Sequence, residues 1–62
     1  MKFNTGDLVY FIHATYLIPE FCGAMLIIAY NFSTKDYSCL SQVNLRTYKF
    51  LSGELEFLEN YK

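Results

Sequence analysis

Between Leu8 and Tyr30 only two side chains, His13 and Glu20, can carry charge near neutral pH. A stretch of that length and polarity either crosses a bilayer or supplies much of the core of a small domain. Its internal punctuation decides between them. Glu20 stands near the middle, where a carboxylate costs about 2.5 kcal/mol or more on insertion scales. Pro19 sits beside it and Gly23 follows. The longest uninterrupted apolar stretch, Ala24 to Tyr30, has the length of a strand and not of a span. A membrane association is therefore not expected, and the segment reads as two core strands around an irregular loop.

The chain has 62 residues, enough for one domain covering 1–62. A domain of about 60 residues buries only roughly 60% of the surface its unfolded chain exposes, so it is marginal. At 53% apolar and 19% aromatic residues the chain is far from the composition of disordered segments. It also holds more large apolar side chains than so small a core can absorb, which favours self-association or a sticky binding surface.

Strand formers follow the Gly6-Asp7 turn signal over Leu8–Ile12. A loop is expected over His13–Cys22, marked as irregular by Pro19. Gly23 then opens the run Ala24–Tyr30, whose continuity predicts burial on both faces. Asn31–Asp36 is a polar turn and Tyr37–Ser41 a returning strand, which makes a hairpin. Arg46–Leu51 alternates with Tyr48 and Phe50 on one face; Ser52-Gly53 turns the chain, and Glu54–Phe57 alternates again with Leu55 and Phe57 inward. The competing reading is a helix over Ser52–Tyr61, which Gly53 at its start weakens. The pattern predicts an all-β, five-stranded barrel with a long first loop and a short turn before the last strand. Its core is expected to hold Val9, Phe11, Met25, Ile27, Cys39, Leu55 and Phe57.

Gly6-Asp7-Leu8-Val9-Tyr10, a long loop, Gly23-Ala24-Met25-Leu26-Ile27, then Tyr37-Ser38-Cys39 and finally Glu54-Leu55-Glu56 together resemble small SH3-like barrels of the KOW and Tudor kind. The resemblance covers nearly the whole chain and implies an SH3-like fold. Met25 and Cys39 stand where that pattern has valines, and the basic loop of its nucleic-acid-binding members is missing. In size and style the chain is also similar to accessory proteins of bacterial viruses, which implies a small inhibitor or modulator of a host enzyme.

Chemistry finds little footing. The lone His13 lies in a loop with no carboxylate at helical or strand spacing, and neither cysteine has a histidine partner by any signature. The chain reads as no enzyme. His13, Cys22 and Cys39 are three potential zinc ligands with no close pair, so no metal and no cofactor are expected. Gly6, Gly23 and Gly53 are isolated turn glycines and form no phosphate loop. The segment Met1–Asp7 places Gly-Asp where the apolar core of an export signal would begin, so the expected compartment is the cytoplasm, with Cys22 and Cys39 reduced.

Binding remains. Five Lys or Arg against six Asp or Glu make a net charge of −1, without the basic excess that phosphate recognition needs. A nucleic-acid role would fall to Lys35, Arg46 and Lys49 with nearby tyrosines, and is the second choice; an inert structural subunit is a third. The loop His13–Cys22 is apolar where loops are ordinarily polar, which argues that it packs against something. Tyr10, Tyr16, Tyr48 and Phe50 are expected to border one groove. The expected partner or self-association surface is therefore Tyr16, Leu17, Ile18 and Phe21, with Tyr48 and Phe50 beside them.

Overall fold

The computed structural model describes residues 2–14 and 19–61. Five strands form one antiparallel sheet: β1 (Leu8–Phe11), β2 (Met25–Asn31), β3 (Asp36–Ser41), β4 (Thr47–Leu51) and β5 (Leu55–Phe57). The described residues contain no α-helix; single 3-10 turns occupy Pro19–Phe21, Ser52–Glu54 and Leu58–Asn60. No helix among them is long and apolar enough to cross a membrane. Each expected strand is present to within a residue or two, and the expected turn before the last strand is the one at Ser52–Glu54. The helix over Ser52–Tyr61 does not form.

The strand order is β4-β3-β2-β1-β5. Chain neighbours pair throughout, except that β5 returns to the far side of β1, where Phe11 faces Leu55 and Val9 faces Phe57. The pairing ends at β4 and β5. No ladder joins these two edges, so the sheet is open and the expected closed barrel is not formed by its hydrogen bonds.

Alternation fills the inner face. Val9, Met25, Ile27, Tyr37, Cys39, Phe50 and Leu55 are buried, joined by Phe3 from the segment before β1. Phe3 packs edge-on against Tyr37 and Phe57, with ring centroids 5.3 and 4.9 Å apart, and its N–H donates to the Tyr37 hydroxyl. Phe3, Tyr37 and Phe50 thus join the expected core, while Phe11 and Phe57 are only partly buried at its margin.

The expectation that Ala24–Tyr30 is buried on both faces fails. Ile28 is 39% exposed, and Ala29 is exposed too. The cause is a β-bulge: Ile27 pairs with Cys39 and Ala29 with Ser38, which leaves Ile28 as an extra residue. Beyond it the facing shifts, so that Tyr30 comes in against Tyr37, with ring centroids 4.7 Å apart.

The two hairpin turns share one design. In the turn after β2, the Asn31 Oδ1 accepts from the N–H groups of Ser33 and Thr34, and the Lys35 N–H donates to the Asn31 carbonyl. In the turn after β3, the Ser41 Oγ accepts from Val43 and Asn44, and the Leu45 N–H donates to the Ser41 carbonyl. Both turns end on a residue in the left-handed region, Lys35 at φ 59° and Leu45 at φ 61°. Short polar side chains that satisfy the turn's own N–H groups make such hairpins form locally.

Residues near both ends of the chain are anchored on the β1–β5 side. Lys2 reaches the Glu56 carboxylate at 3.9 Å, and the Tyr61 ring lies edge-on to Tyr10 with centroids 5.0 Å apart.

Candidate functional site

Aromatic side chains gather on both sides of β1, because successive residues of a strand point to opposite faces. On the inner side, Phe11 stacks on Phe50 at 4.7 Å between centroids. Phe21, delivered by the 3-10 turn Pro19–Phe21, stands edge-on to Phe11, Tyr48 and Phe50 at 5.5, 5.1 and 5.3 Å. His13 adds an edge contact to Phe11 at 5.6 Å. Edge-to-face contacts of this kind are worth about 0.5–1.5 kcal/mol each beyond the area they bury. The Tyr48 hydroxyl accepts from the Asn44 amide, which ties the cluster's rim to the β3–β4 turn.

The structure therefore brings Phe21, Tyr48 and Phe50 together, as the sequence suggested. It does not leave them equally available. Phe50 is only 6% exposed and belongs to the core, whereas Phe21 and Tyr48 are half-buried. Tyr16, Leu17 and Ile18 lie outside the described residues. Tyr10 does not join this group, since it projects from the opposite face to Phe11 and packs on Tyr61.

Beside that outer side of β1, and reaching round to Phe11 and Phe21, lies a cleft of about 280 Å³ also bordered by Tyr10, Ile12, Gly23 and Tyr61. A hollow of about 180 Å³ continues it, sharing Tyr10, Gly23 and Tyr61 and adding Ala24 and Leu58. A third, of about 490 Å³, shares Leu58 and adds Asp7, Leu8, Phe57 and Glu59.

Large apolar side chains stand exposed elsewhere. Val43 at 65% and Leu45 at 71% project from the β3–β4 turn, and Phe32 at 73% from the β2–β3 turn. The argument that an apolar loop packs against something applies equally to Val43 and Leu45, set in a turn whose other members are Gln42 and Asn44. Tyr61 and Leu58 gave no such signal, because their partner Tyr10 is remote in the chain.

Charges are set apart. Lys35, Arg46 and Lys49 are exposed on the two hairpin turns and β4, with Lys49 opposite Ser38 on the outer face. Among the acids, Glu56 accepts from the N–H of Phe57 and the side-chain amide of Asn60. The Phe57 N–H above all, then Asn60, and to a lesser degree Lys2, hold its carboxyl below the ordinary glutamate value. Burial acts the other way on Cys39, fully buried in β3: its thiol is pushed up to about 11. Such a thiol is a poor nucleophile at neutral pH. Cys22 is half-buried at the cleft. Among the described residues no group of three or more His, Cys, Asp or Glu is placed to hold a metal ion. What this surface offers is apolar and aromatic contact area with hydroxyl and carboxylate groups at its margins. Comparison with family models, with curated proteins and with solved structures finds no match.

Proposed function

We propose that the chain is a small protein-binding module on an SH3-like scaffold, without catalytic machinery of its own, that docks on a larger protein such as an enzyme it modulates. The strand order with β1 between β2 and β5, the long first loop and the 3-10 turn before the last strand support the scaffold. One observation carries the function. Among the described residues eight large apolar side chains are exposed, against eight apolar residues in the core, and one of the exposed set, Leu45, is held in a left-handed conformation. Left-handed backbone costs a non-glycine residue about 1–2 kcal/mol, and the equivalent position of the other hairpin holds Lys35, a residue suited to water. Exposure combined with backbone strain, at a site where a polar residue would serve folding better, is what an interaction surface leaves when it is unoccupied.

The test is capture of a protein partner by the immobilised full chain from a lysate of its source, beside a Val43→Ser, Leu45→Asn double variant with the same fold. The variant should lose the partner, and the wild-type capture should persist at raised salt. Retention by the variant places the contact elsewhere. Recovery of nucleic acid that salt removes would instead favour the exposed basic residues Lys35, Arg46 and Lys49.

A further inference from the structure

Three neighbouring hollows beside β1 share lining residues in sequence, and read together they make one furrow. Tyr10, Gly23 and Tyr61 are common to the first and the second, and Leu58 is common to the second and the third. The middle of this furrow is apolar, and its far end is bordered by Leu8, 45% exposed, together with two carboxylates, Asp7 and Glu59. Among the described residues no lysine or arginine lines any of the three hollows. Lys2, on the same side of the sheet, is drawn to Glu56. Of the other exposed bases, Arg46 and Lys49 lie in the β3–β4 turn and on β4 at the opposite edge of the sheet, and Lys35 lies in the β2–β3 turn. An apolar trough that ends in two carboxylates selects a ligand with the complementary order of groups.

We propose that this furrow binds an extended segment of a partner protein in which apolar residues are followed by lysine or arginine. The apolar side chains lie over Tyr10, Tyr61 and Leu58, and the cationic group meets Asp7 and Glu59. This rests on the reading of the chain as a protein-binding module but names a surface separate from Val43 and Leu45. Charge complementarity of this kind sets orientation and partner choice more than raw affinity.

The full chain, labelled with 15N, is titrated with a pentapeptide of three aliphatic residues followed by Lys and Arg, and with a control in which two Glu replace the basic pair. The basic peptide should shift the amide signals of Leu8, Tyr10, Gly23, Leu58 and Glu59, and the acidic control should bind about tenfold more weakly or not at all. Glu59→Lys, at an exposed position, should weaken the basic peptide by about tenfold and leave the spectrum of the free protein dispersed. Equal response to both peptides, or no response at millimolar concentration, overturns the furrow as a basic-segment site. Shifts confined to Val43, Leu45 and Tyr48 overturn it too, but leave the protein-binding reading standing. Concentration-dependent shifts of the furrow without peptide would assign it to a second copy of the chain and likewise overturn the proposal. Capture of a partner that depends on Val43 and Leu45 judges the broader reading separately.

Discussion

Gly23 meets Val43 so closely that a Cβ at position 23 would lie 2.6 Å from the Val43 Cγ2. Gly23 also has φ +87°, in the region that side chains avoid. Two effects therefore oppose any substitution, and they can be separated. Gly23→Ala should destabilise by about 1–3 kcal/mol in urea unfolding. Adding Val43→Ala removes the contact and leaves the backbone strain, so the double variant should regain only part of the loss. Full recovery would mean that the backbone conformation costs nothing.

Leu45 presents the reverse case. Its exposed side chain contributes little to the core, while its left-handed backbone is unfavourable. Leu45→Asn should raise the unfolding free energy by about 0.5–1.5 kcal/mol, because asparagine tolerates that conformation. An unchanged or lower urea midpoint would show that Leu45 supports the fold, and would remove the main support for the proposed function.

Cys39 makes stability fall on the alkaline side. A thiol acid whose value rises from about 9.0 to about 11 on folding stays neutral in the native chain while the unfolded chain ionises. Its contribution is complete below pH 9, declines as pH rises, and is lost above pH 11, with a total of about 2–3 kcal/mol. Iodoacetamide should leave Cys39 unmodified at neutral pH, as read by peptide mapping, until urea unfolds the protein. Cys39→Ser should cost about 1–3 kcal/mol, since it places a hydroxyl among apolar side chains. Labelling of native Cys39 at the rate of an unfolded thiol would contradict its burial.

Phe21 should behave as part of the fold as much as of a surface. Phe21→Ser removes ring contacts to Phe11, Tyr48 and Phe50 and should destabilise by about 2–3 kcal/mol, below the cost of a fully buried phenylalanine. Phe32→Ser, at an exposed turn position where the ring keeps one edge contact to Tyr30, should cost only about 0.5–1 kcal/mol. Similar urea midpoints for the two variants would return Phe21 to the role of a pure surface residue.

The strands were legible because each is short, rich in strand formers and fenced by turn residues such as Gly6-Asp7 and Asn31–Asp36. Pairs of residues on one face, Tyr48 with Phe50 and Leu55 with Phe57, followed from the two-residue repeat. Ile28 escaped that logic: a bulge leaves no mark in an all-apolar run, and every facing after it depends on the partner strand. The meeting of Phe21 with Tyr48 and Phe50 was anticipated from the apolar loop, but the depth of Phe50 was not. An aromatic on an edge strand is covered or bare according to what folds over it, and here Phe21 and Phe11 do. Tyr61 against Tyr10, and Phe3 beneath Tyr37, are contacts between residues 51 and 34 positions apart, for which no local pattern exists.

Anchoring Lys2 on Glu56 and Tyr61 on Tyr10 puts residues from both extremities of the chain beside the same strand pair, with a practical consequence for handling the protein. A reporter attached next to Tyr61 would crowd the furrow, because that ring borders two of its hollows. The exposed turn between Asn31 and Asp36 contributes no residue to the three hollows and holds its shape through short-range hydrogen bonds. A tag or reporter inserted between Ser33 and Thr34 should therefore leave the same sheet and an unobstructed furrow.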